Sequence, residues 1–166
     1  MKMVKRGSVE ISFNMIFSII LIIVFIAAAF YVIPKIIGLF RCAETGSFYQ
    51  DLQDKVSKAW KSDATSELWA TTLPTSIQYA CFVNWSNSAR GVNSELYNDI
   101  TLFRKNIVLW PSSKVCSGLE GKNLQYLNLQ QITSVNNPFC IKVVNGKASL
   151  RIEKSINENS VTIKNA

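Results

Sequence analysis

A long run without charge occupies the beginning of the chain, because no charged side chain lies between Glu10 and Lys35. At a rise of 1.5 Å per residue, a helix over residues 11–33 is about 34 Å long, which exceeds the bilayer core of about 30 Å. A soluble domain would have to surround such a helix on every side, and the remaining residues are too few to do so and also build their own core. We therefore predict a transmembrane helix over residues 11–40, preceded by a basic segment, 1–10, and followed by one domain, 41–166.

The flanking charges indicate the orientation of this helix. Lys2, Lys5 and Arg6 precede the apolar run, whereas only Lys35 and Arg41 follow it closely, which favours a cytoplasmic N-terminus. The cysteines agree, because all of them follow the run and an external compartment permits disulfides. We predict a single-pass protein of the cell membrane with an extracellular C-terminal domain.

A cleaved secretory signal peptide is the alternative use of such a run. The alanines at positions 27–29 imitate its cleavage site. The apolar residues reach the alanines without a polar break and resume at Phe30, however, so we predict that the helix is retained.

A short motif precedes the helix: Lys5, Arg6 and Gly7, then two residues, then Glu10. This order resembles the class III signal sequence of type IV pilins and of archaeal pilins and archaellins. The resemblance implies that a prepilin peptidase cuts between Gly7 and Ser8, removing a leader of residues 1–7 and leaving the helix to assemble a surface filament or pseudopilus. A carboxylate near lipid is unfavourable unless paired. The amino group of Ser8, its own or a neighbour's, is the partner that we expect for Glu10.

The alternative function is an uncleaved bitopic anchor whose extracellular domain binds a partner. Gly7 separates the two hypotheses, since only a filament subunit needs the cut. The expected partners are membrane lipid, copies of the same chain and the peptidase.

Two helices are predicted before the rest of the domain. Pro34 and Gly38 should bend or end the first, because proline lacks an amide donor and glycine is a weak helix former. Ser47 and Gln50 form a capping-box pattern for the second. Its apolar positions recur at helical spacing: Phe48, Leu52, Val56 and Ala59 or Trp60.

The C-terminal part predicts an antiparallel sheet. Residues 77–83 alternate, with Ile77, Tyr79, Cys81 and Val83 expected to face the helix, and residues 107–110 form a strand that ends at Pro111. Residues 139–152 predict a hairpin around Asn145 and Gly146. Its apolar face would pair Val143 with Ala148, Ile141 with Leu150 and Phe139 with Ile152, and residues 161–163 add a last strand. The predicted fold class is α+β, with an amphipathic helix packed on an antiparallel sheet; this layout resembles that of pilin subunits.

Four cysteines in an external domain indicate two disulfides. Because Cys81 is expected on the helix-facing side and Cys140 on the polar side, we hypothesise that Cys42 pairs with Cys81 and Cys116 with Cys140. Free buried thiols are the alternative. No Cys-x-x-Cys pattern indicates a zinc site.

The chain shows no pattern typical of an enzyme, a cofactor or a metal. It has no histidine, and the spaced carboxylates Asp51 with Asp54 and Glu95 with Asp99 are interpreted as solvated surface. From Cys42 onward, 13 basic and 10 acidic residues are scattered, which does not suit a nucleic-acid groove.

Two positions remain as candidate sites on the domain surface. Asn84 begins the one glycosylation sequon of the sequence and is a candidate for modification. Trp85, in a polar stretch, is a candidate exposed contact.

Overall fold

The structure is a computed structural model that describes residues 13–166, and its fold class is α+β, as predicted. Helix α1 (Phe13–Lys61) comes first. Within the described range the strands that follow are β1 (Thr65–Thr72), β2 (Tyr79–Phe82), β3 (Ile107–Trp110), β4 (Gly121–Lys122), β5 (Phe139–Lys142), β6 (Lys147–Lys154) and β7 (Thr162–Asn165). The two short helices are α2 (Tyr97–Thr101) and α3 (Leu129–Ile132), and single 3₁₀ turns occupy Ser94–Leu96 and Ser112–Lys114.

Helix α1 runs through Pro34 and Gly38, so the prediction of two separate helices is wrong. A proline inside a helix removes one backbone hydrogen bond, whereas ending one helix and starting another leaves four carbonyls and four N–H groups without intrahelical partners. Ser47 therefore lies inside α1 and caps nothing. Its Oγ instead donates to Oδ2 of Asp51 at 3.4 Å.

The chain divides after Gly38 into two compact units, and the last turns of α1 belong to the second, Leu39–Ala166. The predicted apolar face of this part is confirmed, because its members recur three or four residues apart and are buried. They are Phe48, Leu52, Val56 and Ala59, joined by Thr45 and Tyr49. Trp60 is half-buried, and its Nε1 donates to the carbonyl of Asn159 at 3.1 Å.

The strands of the second unit form two antiparallel sheets. One contains three strands in the order β1-β6-β7, and the other contains four in the order β4-β3-β2-β5. Strand β3 has the predicted bounds, and β7 overlaps the strand predicted at residues 161–163. Strand β1 was not predicted, although it pairs with β6 over eight residues and is the longest partner that β6 has.

One hydrophobic core joins α1 to both sheets. The helix contributes Phe48 and Leu52, the three-stranded sheet contributes Leu150 and Ile152, and the four-stranded sheet contributes Phe82, among others. Each of these side chains is at most 1% exposed. Burial of such side chains is worth about 1.5–3 kcal/mol each, so this core holds the helix on the sheets.

The four-stranded sheet is covered on both faces, which corrects the predicted phase of β2. Ala80 and Phe82 face the main core, whereas Cys81 and Val83 belong to a second cluster with Val108 and Ile100 of α2. Alternation could not reveal the side that faces α1, because neither face of this strand is polar.

The turn of the predicted hairpin forms, but its two strands do not pair with each other beyond the turn. Val144 and Lys147 pair across the turn, as predicted, while β5 then pairs with β2 and β6 with β1. The pairs expected beyond the turn, such as Ile141 with Leu150, are therefore wrong. Both side chains are nevertheless buried in the main core, as the alternation indicated.

Candidate functional site

The first half of α1 carries apolar side chains that are exposed throughout. Every described residue from Phe13 to Ile37 is exposed, including Ile23 at 60% and Phe25 at 67%. Among residues 13–166, α1 is the one helix that is long and apolar enough to cross a membrane. An exposed apolar surface of this extent marks a site of contact with lipid or with other protein.

Polar groups along this part of α1 bond within the helix. The Oγ of Ser18 donates to the carbonyl of Asn14 at 2.8 Å, one turn earlier. The Nζ of Lys35 donates to the hydroxyl of Tyr31 at 2.7 Å and lies 4.2 Å from the centre of its ring. Tyrosine and lysine are side chains that place an apolar body in lipid and a polar tip in water, so this pair suits one end of an apolar span.

The cleavage residues Gly7 and Ser8 and the assembly residue Glu10 lie outside the described residues. Their roles therefore stay predictions from the sequence.

All four cysteines form disulfides, but the hypothesised pairing is wrong. Cys42 of α1 pairs with Cys116, with a Cα–Cα distance of 5.5 Å, and Cys81 pairs with Cys140 at 4.0 Å. Cys81 and Cys140 lie opposite each other on β2 and β5. The pairing error follows from the phase error of β2, since Cys81 points away from the core that α1 covers.

Asn84, the residue of the sequon, is buried with 8% of its surface exposed. Its Nδ2 donates to Oε1 of Gln130 at 3.4 Å, and its Oδ1 accepts the backbone N–H of Ser86 at 3.0 Å. A glycan needs an exposed amide nitrogen, so Asn84 is not an accessible acceptor in the folded domain.

Asn137 organises the same region, and sequence reasoning missed it. Its Oδ1 accepts the backbone N–H of Asn84 at 3.1 Å. Its Nδ2 donates to the carbonyls of Asn84, Asn87 and Ser88 at 2.9, 3.0 and 3.2 Å. The side chain is fully buried, so one amide group satisfies four backbone groups of the loop after β2. The Asn-Pro dipeptide signals a turn at this position but does not reveal these bonds.

The carboxylates that were interpreted as surface are exposed: Asp51, Asp54, Glu95 and Asp99. In the described part of the chain, no three His, Cys, Asp or Glu side chains lie close enough to hold a metal ion.

Two ion pairs tie strands to their neighbours. A hydrogen bond from Lys55 on α1 holds the pKa of Glu67 on β1 below its usual value, against a small desolvation effect. A hydrogen bond from Lys164 at 2.6 Å likewise lowers the pKa of Glu153, with Arg151 adding to the effect. Both carboxylates are ionised at neutral pH and act as structural partners.

Burial raises the pKa of the Tyr49 hydroxyl, and the charge of Glu120 adds to the shift. The hydroxyl stays protonated and donates to the backbone carbonyl of Glu120 at 3.2 Å. This bond joins α1 to the segment before β4. The Tyr49 hydroxyl therefore has a structural role, as a neutral hydrogen-bond donor to a backbone carbonyl.

Trp85 is half-buried, which corrects the expectation of an exposed contact. It packs against the second cluster, and its Nε1 has no hydrogen-bond partner among residues 13–166. With Tyr97, Thr101 and Arg104 it lines an open recess of about 630 Å³.

The first half of α1 thus carries the most extensive exposed apolar surface of the described residues, and the uncharged run of the sequence indicated it. Comparison of the chain with protein families, with curated proteins and with solved structures finds no match.

Proposed function

We propose that the protein is a pilin-like subunit, held in the cell membrane by the N-terminal half of α1 and able to assemble through it into a surface filament or pseudopilus. The observation that carries this proposal is the uncharged apolar surface from Phe13 to Ile33, in which every residue is classed as exposed. The domain that follows would lie outside the cell.

Packing supplies the mechanism. Each large apolar side chain that leaves water stabilises the buried state by about 1.5–3 kcal/mol, and more than a dozen such side chains are exposed between Phe13 and Ile33. Lipid can cover this surface in the membrane, and neighbouring copies can cover it in a filament. The same helix therefore serves both states without a change of fold.

The motif before the helix supports assembly over simple anchoring. Cleavage after Gly7 would create an α-amino group on Ser8, two residues before Glu10. A carboxylate and an amine in an apolar environment stabilise each other, because each alone is costly to bury. Pairing between neighbouring copies would then select the register of the assembly.

The same apolar surface also suits a second candidate function, an uncleaved bitopic anchor whose extracellular domain recruits a partner. Such an anchor needs the helix but not the peptidase motif. Processing at Gly7 separates the two functions.

The test is the intact mass and N-terminal sequence of the protein purified from its native membrane without reducing agent. We expect a chain that starts at Ser8. Gly7→Val should retain residues 1–7 and abolish filaments that are sheared from the cell surface and viewed by electron microscopy. Gly38→Val is the matched control, because a Cβ at Gly38 meets no atom within 4 Å, and this variant should be processed normally.

A wild-type chain that starts at Met1 would contradict the filament proposal and favour the anchor. A start near Phe30 would contradict both, since the domain would then be secreted. Processing without filaments in the wild type would limit the role to a pseudopilus or another assembly within the envelope.

A further inference from the structure

Each sheet of the domain ends on a strand that has a neighbour on one side only. Strand β5 ends the four-stranded sheet, and β7 ends the three-stranded sheet. Two cavities of about 460 Å³ lie between them: one is lined by Phe139 of β5 and Ile163 of β7, the other by Lys142 of β5, and Asn165 lines both. We call this gap the edge groove.

The outward backbone groups of β7 can be assigned from its first contacts. Beside β7, the N–H of Val161 donates to the carbonyl of Tyr126 at 2.7 Å, and its carbonyl accepts the N–H of Asn128 at 2.8 Å. Both bonds lie on the side away from β6. Because backbone groups alternate along a strand, those of Ile163 and Asn165 point to this side as well. No backbone group among residues 13–166 bonds them there.

The same reasoning applies to β5. Cys81 and Cys140 are opposite each other with a Cα–Cα distance of 4.0 Å, which is typical of the pair that exchanges no hydrogen bonds in an antiparallel ladder. The backbone groups of Cys140 and Lys142 therefore point away from β2, into the edge groove. Because Ile163 is only 1% exposed, the unpaired backbone groups that the groove presents are those of Lys142 and the half-buried Cys140 on β5 and of Asn165 at the end of β7.

Charge and burial indicate what would fill the groove. On the inner face, Ile141 and Ile163 belong to the main core and are at most 3% exposed, while the half-buried Phe139 lines the groove beside them. On the outer face, Lys142 and Lys147 are exposed and have no ion pair among the described residues, while Lys164 bonds Glu153. A strand inserted here would place alternate side chains against an apolar floor and against a basic rim.

We infer that the edge groove binds an extended acidic polypeptide segment of a partner protein, in which apolar and acidic side chains alternate. The segment pairs with the edge of β5 and meets the end of β7 at Asn165. Strand β6 is antiparallel to β5 at the bridge of Val144 with Lys147 and antiparallel to β7, so a segment antiparallel to β5 is also antiparallel to β7, which is the commoner arrangement. Main-chain bonds supply affinity and the lysines supply specificity. This site is independent of the helix that the proposed function uses.

The test uses the full isotope-labelled chain in detergent micelles and a short blocked peptide in which valine alternates with glutamate between terminal threonines. We expect amide hydrogen exchange at Lys142 and Asn165 to be fast in the free protein and at least about tenfold slower with saturating peptide. A peptide with lysine in place of glutamate, and one methylated on alternate amide nitrogens, should each bind at least about tenfold more weakly.

Substitutions at Lys142 separate backbone pairing from charge. Lys142→Pro removes the outward N–H without removing a bond to β2, because proline is tolerated at a sheet edge. Lys142→Thr keeps the N–H and removes only the charge. We expect the proline variant to lose at least about tenfold in peptide affinity and the threonine variant to lose less. If Lys142→Pro does not fold, Asn165→Pro applies the same test to β7.

Three results would overturn the inference. The outward amides could already exchange slowly in the free protein, which would mean that the groove is closed. The methylated or lysine peptide could bind as well as the acidic one. Finally, a folded proline variant could bind the peptide with unchanged affinity.

Discussion

Replacing Asn137 by aspartate tests whether one side-chain amide fixes the loop after β2. The carboxyl group has nearly the shape of the amide and keeps the acceptor for the N–H of Asn84. It loses the two N–H donors that reach the carbonyls of Asn84, Asn87 and Ser88. Asn137 itself is fully buried. Its acceptors are not isolated, because the carbonyl of Asn84 also accepts the N–H of Asn87 at 3.3 Å, that of Asn87 accepts the hydroxyl of Tyr97 at 2.9 Å, and Ser88 is exposed.

The size of the loss in the free energy of unfolding depends on the protonation state of the new carboxyl group. When neutral, it supplies one donor in place of two, and because each carbonyl keeps another donor or lies in an exposed residue, the loss of one hydrogen bond costs about 0.5–1.5 kcal/mol. When ionised, it faces three carbonyl oxygens, but it can escape this repulsion by binding a proton. Holding that proton at pH 7, about three units above the usual aspartate pKa, costs about 4 kcal/mol and sets the upper limit of the repulsion.

We expect Asn137→Asp to lower the free energy of unfolding by about 4–6 kcal/mol at pH 7 and by about 1–2 kcal/mol at pH 4. The sign follows from linkage. Burial and the facing carbonyls raise the pKa of the new carboxyl in the folded state, so the unfolded state gains relative stability as pH rises above the unfolded pKa.

The assay is guanidinium unfolding of the full, disulfide-intact chain in detergent, followed by near-ultraviolet circular dichroism. Asn136→Asp is the matched control, because Oδ1 of Asn136 only accepts the N–H of Val92, and a carboxylate keeps that bond. We expect the control to change stability by less than about 0.5 kcal/mol. A loss below about 1 kcal/mol for Asn137→Asp at pH 7, or an equal loss at both pH values, would refute the reasoning.

The remaining predictions use the same unfolding assay. Leu52→Ala, at a fully buried position of α1, should lower stability by about 2–5 kcal/mol, whereas Leu68→Ala, at 60% exposure, should change it by less than about 0.5 kcal/mol; equal effects would contradict the assigned core. Serine at both Cys42 and Cys116 should lower stability by about 2–5 kcal/mol. A peptide map of the unreduced wild-type chain should contain the disulfide between Cys42 and Cys116 and no other pairing of these two cysteines. Glu67→Gln should lower stability by less than about 1 kcal/mol at pH 7. Because the pKa of Glu67 is lowered in the folded state, this stabilisation is complete above the usual value of 4.5 and is lost as pH falls through the folded pKa, so a loss that does not shrink as the pH is lowered below 4.5 would contradict it.

Local patterns predicted the elements whose signals lie within a few residues. The apolar face of α1 from Phe48 to Ala59 follows from helical spacing, and Pro111 marks the end of β3. Strand β1 was not predicted, because Leu68 lies on its exposed side and breaks the expected alternation of apolar and polar residues. Two wrong predictions, the phase of β2 and the pairing of the cysteines, both concern contacts between residues far apart in the sequence.

The hairpin shows most clearly what local sequence patterns do not predict. The Asn-Gly turn sets the pair formed by Val144 and Lys147, and nothing in the turn indicates that the two strands then separate. Their partners β2 and β1 lie far upstream, and only the packed domain selects them. The disulfide between Cys81 and Cys140 depends on the same choice, so its pairing could not be read from the spacing of the cysteines.

The bridge between Cys42 and Cys116 has a mechanical consequence for a protein that is pulled by α1. A load that arrives along the helix at Cys42 passes directly to Cys116, so the 74-residue separation between them is removed from the path that can lengthen. At about 3.4 Å per residue, the disulfide prevents about 250 Å of chain extension. The ends of the loop that holds strands β1 to β3 therefore stay joined, and the segment after Cys116 is the part that can lengthen fully. The second bridge, from Cys140 to Cys81, passes part of the load back into that loop.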